Sequence, residues 1–312
     1  MNNIESFILS TLNATIRAGT PLLFAVLGTI FTERSGVMNL GLEGLMLVGA
    51  IGGFVASYQT SNLLAALLLA MLAGAILGLV HAFFTVTLRV NQIVSGLAIT
   101  MLGTGISGLW GKDYIGVIAR RFEPIKIPFL SDIPYIGQVL FNHDVLVYIS
   151  FVLVPIMWFF IYKTKPGLTL RAVGESPEAA DAKGINVFAV RYFYTVLGGS
   201  ITAIGGAYLS LAYNSMWIEN MTAGRGWIAI ALVLFATWDP VKALIGAYLF
   251  GGITALGLRL QAVGAHISPD FLKMLPYLLT IVVLFFTSTD TLKRKVGAPA
   301  SSGVPYSREE RT

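Results

Sequence analysis

Long apolar stretches constrain this 312-residue chain more than any other feature of its sequence. They fall near residues 8–31, 36–58, 62–88, 91–110, 145–162, 191–213, 226–238, 240–258 and 271–288. Most of them approach the ~20 apolar residues that a membrane-spanning helix needs, and 226–238 is the short exception. The stretches are continuously apolar rather than alternating, and lipid offers no partner for open backbone groups. The sequence therefore predicts an all-α integral membrane protein with about nine transmembrane helices.

Composition excludes several classes of protein. Only 12% of the residues are charged, against ~25% in ordinary soluble domains. The absence of cysteine excludes disulfides, thiolate metal sites and cysteine nucleophiles. The three histidines, His81, His143 and His266, are too scattered for a metal motif, and the chain has no P-loop or hydrolase motif. We therefore expect no enzyme active site, no metal and no cofactor in this chain.

The positions of lysine and arginine predict how the helices are oriented. If the 163–190 loop and the C-terminal tail are cytoplasmic, 13 of the 21 Lys and Arg residues lie inside and seven outside, with Arg17 inside the first stretch. This arrangement makes 111–144 an external loop and places the N-terminus outside. A re-entrant 226–238 segment would put the tail outside, against the charge bias, so we predict that this segment spans. The net charge of +5 then indicates membrane orientation rather than binding to nucleic acid.

The last part of the chain differs in composition from the rest. Residues 1–290 hold all the apolar stretches and form the predicted transmembrane domain. Residues 291–312 form a cytoplasmic tail, and its end, GAPASSGVPYSREERT, combines small residues, proline and charge. That composition predicts disorder.

A short helix with clear end signals lies within the 163–190 loop, in the sequence RAVGESPEAADAKGI over 171–185. Ser176 suits the N-cap, Pro177 suits the first helical position, and Gly184 is placed to end the helix. The alanines between them leave a small, smooth surface. Such a helix is suited to docking into a groove of a cytoplasmic partner, and an ordinary capped loop helix is the alternative.

Polar residues inside the second apolar stretch form another candidate site. Asn39 and Glu43 are four residues apart and share one helix face. An ionisable group inside a span is costly unless it is paired or hydrated, so Glu43 is a functional-site hypothesis, with Arg17 and Asn39 as candidate partners. The alternative is that Glu43 or Asn39 caps a broken helix end. Similarly, Asn91, Gln92 and Ser95 begin the fourth stretch and either contact solute or cap that helix.

Four stretches in order resemble one family. They are ERSGVMNLGLEG (33–44), NQIVSGLA (91–98), RAVGESPEAADAKGIN (171–186) and GRGWIAIALVLFATWDP (224–240). Together they resemble the permease subunits of the ribose and branched-chain amino acid class of bacterial ABC importers, nearest the simple-sugar and nucleoside branch. The resemblance covers about residues 10–290. Thr237 and Trp238 depart from it, because the family often has small residues or glycine there.

The resemblance implies a type II-like ABC importer permease bundle in the plasma membrane. It implies that 174–185 is the coupling helix that meets an ATP-binding subunit, and that ATP and Mg²⁺ are held on that partner. It also implies a second permease chain, homologous or identical, and an external solute-binding protein that docks over 111–144. The candidate coupling residues are Gly174, Glu175, Ser176, Glu178, Ala179, Ala180, Gly184 and Ile185.

Two classes of function follow. The first is the permease of an ABC importer, which moves a nucleoside or simple sugar by alternating access. The alternative is an ion-coupled secondary transporter that uses Glu43 and Arg17, and a membrane-embedded enzyme ranks third for want of a catalytic grouping. The candidate pathway residues are Asn39, Glu43, Asn91, Gln92 and Ser95.

Overall fold

The computed structural model describes residues 3–262, 268–287 and 298–308, and this part of the chain is mostly helical. The α-helices are α1 Asn3–Arg34, α2 Leu42–Thr60, α3 Leu63–Ala82, α4 Gln92–Gly111, α5 Ile136–Leu140, α6 Val145–Lys163, α7 Lys165–Glu175, α8 Pro177–Ala182, α9 Val187–Tyr208, α10 Arg225–Ala236, α11 Pro240–Ala262 and α12 Pro269–Thr287. π-helical turns, Phe83–Thr87 and Leu209–Tyr213, extend α3 and α9, and a 3-10 turn, Lys112–Tyr114, follows α4. Strands β1 Ile125–Lys126 and β2 Asn142–His143 pair antiparallel.

Seven of the described helices are long and apolar enough to cross a membrane, which confirms a multi-pass membrane protein. They are the helices predicted near 8–31, 36–58, 62–88, 91–110, 145–162, 191–213 and 240–258. Helix α12 has 19 residues and covers the stretch predicted at 271–288, whose last residue lies outside the described residues. Helix α10 has 12 residues and covers the short stretch at 226–238. Each of the nine predicted stretches thus coincides with a helix of the described chain, and seven of these helices qualify as membrane spans.

The second apolar stretch, predicted as helical over 36–58, forms a helix only from Leu42. Gly36 has a φ of 87°, a left-handed conformation that favours glycine, and it turns the chain out of α1. Residues 37–41 are not helical, and the Asn39 Oδ1 accepts a 2.7 Å hydrogen bond from the Gly41 N–H. The helical prediction is therefore wrong for 36–41, because apolar composition continues through a segment that glycine and asparagine keep out of the helix.

This non-helical segment follows α4 into the bundle. Leu40 lies against Gly96, one turn inside α4. Gly44 then packs against Ile99 and Gly103, near the middle of that helix. Since the 20 residues of α4 extend for ~30 Å, α2 begins about halfway through the bundle.

Helix α10 also begins halfway through the bundle. Its first turn lies beside the start of α2, because the Gly226 N–H donates to the Glu43 carboxylate. Its last turn lies beside the end of α1, where the Arg34 guanidinium donates to the Trp238 carbonyl at 3.2 Å. Twelve residues extend for ~18 Å, little more than half of a ~30 Å hydrocarbon core.

The segment before α10 spans the half of the bundle that α10 leaves uncovered. At its start Trp217 pairs with Ile115 of the 111–144 loop, at the end of the bundle that carries α5. At the opposite end Gly174 of α7 packs on the Arg34 carbonyl. We call these the α5 end and the α7–α8 end. Non-helical residues 214–224 and α10 together therefore cross the bundle, and the predicted 226–238 span is a half-length helix.

Close packing of glycines holds the bundle together. In the most apolar part of helix α1, 83% of the residues are buried. The helix packs against both α9 and α11. At these contacts Gly28 meets Gly198 of α9, and Gly19 meets Gly251 of α11. Small residues allow this approach, and in a membrane such contacts drive helix association.

Gly206 of α9 provides a test of this packing. A Cβ at Gly206 would overlap the carbonyl oxygen of Met46 in α2, whereas one at Gly105 of α4 meets nothing within 4 Å. We expect Gly206→Ala to lower the free energy of unfolding by about 1–3 kcal/mol, since two helices must move apart. Gly105→Ala is the matched control and is expected to be neutral or slightly stabilising. Thermal unfolding of the detergent-purified proteins measures both, and equal midpoints would contradict the packing argument.

The tail differs from the predicted disorder over 298–308. Ser301 and Tyr306 are only 8% and 6% exposed. Tyr306 packs with Val173 and Val187 in a small apolar cluster beside α8. Small residues let the segment lie flat on the helices, and one aromatic ring supplies buried apolar area. For 298–308 the structure thus shows a docked segment, and 309–312 and 291–297 lie outside the described residues.

Candidate functional site

Glu43 joins the two helices that begin halfway through the bundle. It lies in the first turn of α2, is 9% exposed, and accepts three hydrogen bonds from the start of α10. Its Oε1 accepts from Thr222 Oγ1 at 2.5 Å and from the Gly224 N–H at 2.8 Å, and its Oε2 accepts from the Gly226 N–H at 2.6 Å.

This geometry is that of a cap on the start of α10. The free N–H groups at a helix N-terminus carry a partial positive charge, which a carboxylate offsets. Gly226 leaves room for the contact, because a Cβ there would lie 2.5 Å from the Glu43 Cα. Glu43 therefore caps the broken helix end, the structural alternative raised by the sequence, and its place on a solute pathway stays a prediction.

Arg17 was the predicted partner of Glu43, but within the described residues its contacts lie elsewhere. Its guanidinium donates to the Ala212 carbonyl at 3.3 Å and lies 5.9 Å from the centre of the Tyr213 ring. The Arg225 guanidinium also lies near this ring, 5.7 Å from its centre. The Glu43–Arg17 pair is thus absent from this conformation, because backbone N–H groups of α10 already bind the carboxylate.

Arg17 instead lines a polar cavity of about 370 Å³ at the α5 end. Asp144 and His143 line it too, and Asp144 caps α6 by accepting from the Leu146 N–H at 3.0 Å. Burial raises the pKa of Asp144, and burial lowers the pKa of His143. The cavity therefore combines a cation with a carboxyl group and an imidazole that are both driven toward their neutral forms.

Gln92 and Ser95 contribute to a polar cluster at the α7–α8 end. Gln92 is 1% exposed, and its Oε1 accepts from the Met38 N–H at 2.6 Å. His81 Nε2 lies 3.0 Å from the Met38 carbonyl, and its Nδ1 lies 2.9 Å from Ser95 Oγ. A carbonyl can only accept, so Nε2 carries a proton, and in the neutral imidazole Nδ1 then accepts from the serine. Asn91 is exposed and caps α4 by accepting from the Ile93 N–H.

These contacts place the predicted pathway residues in two groups. Asn39 and Glu43 lie at the start of α2, and Gln92 and Ser95 lie nearer the α7–α8 end. Four of the five are buried within this single chain. Nothing in their contacts assigns a solute, so lining a pathway remains a prediction for all five.

The predicted coupling segment is divided between two short helices. Thr164 caps α7, whose Gly174 is buried, and Ser176 caps α8 by accepting from the Ala179 N–H at 3.4 Å. Gly184 follows α8 with a φ of 81° and nothing within 4 Å of a Cβ position. The capping signals read from the sequence are thus confirmed for Ser176 and Gly184.

Seven of the eight candidate coupling residues face one of two ways, and the eighth, Ser176, is half-buried as the N-cap of α8. Gly174, Ala180 and Ile185 face the bundle, since Ala180 is 4% exposed and Ile185 packs on the cluster around it. The other four candidates are exposed and form the outward surface of α8 and of the residues on either side of it. The exposed candidates are Glu175, Glu178, Ala179 and Gly184.

Two contacts of this site were missed from the sequence. One is the identity of the helix that Glu43 caps, α10, for which the glycines around Arg225 were the available signal. The other joins Trp238 to α1, because its Nε1–H donates to Glu33 Oε2 at 2.6 Å. Trp238 had been noted only as a departure from the family pattern, and Glu33 gives it a bonding role at the end of α10.

A multi-pass helical bundle whose broken helices meet at mid-depth is an arrangement typical of membrane transporters. The chain belongs to the family described as the permease component of branched-chain amino acid transport systems, whose model matches residues 11–284. It is accordingly a permease subunit of the ABC importer class.

Three relatives illustrate the range of the family. A Haloferax volcanii protein named for a glucose ABC transporter permease is 39% identical over 97% of this chain and 99% of its own length. A guanosine ABC transporter permease of Bacillus subtilis is 36% identical over 96% of each chain. A second guanosine ABC transporter permease of that organism is 24% identical over 93% of this chain and 84% of its own.

Proposed function

We propose that this chain imports a solute with a hydroxylated sugar ring, a nucleoside or a simple sugar, by alternating access coupled to ATP hydrolysis on a separate subunit. The observation that carries the proposal is the outward surface of α8, a capped helix with small exposed residues at one end of a transporter bundle. Glucose and guanosine, named for relatives of similar identity, share such a ring. The sequence has no P-loop motif, and in this proposal ATP and Mg²⁺ are held on the partner.

Three partners complete the proposed importer. The ATP-binding subunit meets α8 at the α7–α8 end, which the lysine and arginine bias makes cytoplasmic. An external solute-binding protein docks over 111–144 at the α5 end. The third partner is a second permease chain, homologous rather than identical, since Bacillus subtilis has two different permeases that are each named for a guanosine ABC transporter.

The pathway is proposed to run beside the broken helices. Asn39 and Glu43 lie where α2 and α10 begin, so a shift of segment 36–41 would change the depth at which both helices start. Gln92, Ser95 and Asn91 lie along the same route toward the α7–α8 end. In this conformation the chain buries most of them, and solute access is proposed to follow from their movement.

The test is gentle affinity purification of the tagged chain from a host that carries the neighbouring genes, with mass spectrometry of the proteins recovered. Stoichiometric recovery of an ATPase with a P-loop, together with a second permease, is the expected result. Uptake of radiolabelled guanosine, adenosine and glucose by the same cells then identifies the solute. If the chain purifies alone where a reference ABC importer stays intact, the proposal is refuted.

A further inference from the structure

The docked segment 298–308, which we call the strap, contacts both α7 and α8. The Ala300 N–H donates to Glu175 Oε2 at 3.1 Å, and the Ser301 N–H donates to the Gly174 carbonyl at 2.9 Å. At the other end of the strap, Arg308 Nε lies 3.1 Å from Asp181 Oδ2 of α8. The strap therefore joins both α7 and α8 along its length.

The strap also provides hydrogen-bond partners for a buried cation in α9. Arg191 is 1% exposed, and its guanidinium donates to Ser301 Oγ at 3.1 Å and to the Val304 carbonyl at 3.3 Å. The Tyr306 ring lies against the same side chain, with 5.9 Å between the guanidinium carbon and the ring centre. A buried charge needs such partners, so removal of the strap would expose or strand the arginine.

A third set of contacts leads toward the centre of the bundle. The Gly303 N–H donates to Gln92 Oε1 at 3.2 Å, and the same oxygen accepts from the Met38 N–H at 2.6 Å. Met38 belongs to the non-helical segment 36–41 that continues into Glu43 and the α10 cap. One amide oxygen thus connects the strap to the segment that sets the position of both half-depth helices.

We propose that the strap makes α8 and segment 36–41 move as one body, and so carries the movement imposed by the ATP-binding subunit to the Glu43 cap. This inference rests on the proposed function, in which α8 is the coupling helix. Packed elements switch between discrete arrangements rather than deforming smoothly. A link of this kind transmits movement only while it stays docked through the transport cycle.

Truncation tests whether the strap is required. The variant lacking 298–312 loses every contact above, and the control lacking only 309–312 keeps them. In proteoliposomes with the copurified ATPase, we expect the longer truncation to retain ATP hydrolysis within about threefold. Uptake of guanosine or glucose, whichever the full-length transporter accumulates, is expected to fall at least about tenfold. Normal uptake by the longer truncation would overturn the proposal.

Cross-linking tests whether the strap stays docked, and it decides the matter if the truncated chain fails to assemble. The chain has no cysteine, so Asp181→Cys with Arg308→Cys can be joined selectively by a short thiol cross-linker that bears a reducible bond. We expect uptake by the cross-linked complex to stay within about twofold of the same variant after reduction. Uptake that stops on cross-linking and returns on reduction would show that the strap must undock, which overturns the one-body link. Absence of an ATPase from the full-length preparation would refute the proposed function instead.

Discussion

Glu43→Ala is expected to abolish uptake and to lower the free energy of unfolding by several kcal/mol. The substitution leaves Thr222 Oγ1 and the N–H groups of Gly224 and Gly226 without their acceptor. Each buried donor that loses its partner costs about 1–3 kcal/mol. Because these donors begin α10, its first turn should fray and the half-depth junction with α2 should be lost. Thermal unfolding in detergent and uptake by cells measure the two effects separately.

Glu43→Gln separates charge from hydrogen bonding. The amide keeps one acceptor oxygen but turns an NH₂ group toward the backbone donors of α10 and removes the charge that faces the helix dipole. We expect a smaller loss of stability, about 1–2 kcal/mol, with uptake altered and the protein still assembled. Glu219→Gln is the matched control, because Glu219 is exposed. Unchanged uptake kinetics for Glu43→Gln would refute any part of Glu43 in the pathway.

The same contacts argue against an ion relay at this position. Glu43 accepts from three donors that are fixed by the start of α10, so its contacts are those of a helix cap. Arg17, its proposed relay partner, is bound to the Ala212 carbonyl and the Tyr213 ring. Uptake that persists after the ion gradients collapse and stops when ATP is depleted would agree with this geometry.

The sequence predicted the elements that depend on local physics. Hydropathy located the long helices, because a span must be apolar along its whole length. The ends of α8 were predictable because Ser176, Pro177 and Gly184 act within one turn of themselves. These signals need no knowledge of the rest of the chain.

The sequence did not predict how the broken helices meet. Residues 36–41 are as apolar as a helix, and their non-helical course depends on packing along α4. The partners of Glu43 lie about 180 positions away, so spacing within one helix suggested Asn39 and Arg17 instead. The strap was missed for a related reason. Its composition is that of a free tail, and it is held by distant partners, Arg191, Gln92 and the Gly174 carbonyl.

Ala179→Trp is expected to abolish recovery of the ATP-binding subunit and, with it, uptake. Ala179 is exposed on α8, so a large side chain there adds bulk to the outward surface without entering the core. A helix that docks through small residues leaves no room for an indole in its groove. Ala179 is a sharper probe than Glu175, whose carboxylate also accepts from the Ala300 N–H of the strap.

Ile118→Trp is the matched control, since Ile118 is 81% exposed and belongs to the 111–144 loop at the α5 end. It adds the same side chain far from α8, and the ATPase should copurify with it at the wild-type ratio. Both variants should insert and unfold at the wild-type temperature, because neither position is buried. Recovery of the ATPase with Ala179→Trp at that same ratio would mean that α8 lies outside the docking surface. Glu178 and Gly184, which are also exposed, would then lose their assignment as coupling residues. The strap would have no movement of α8 to transmit.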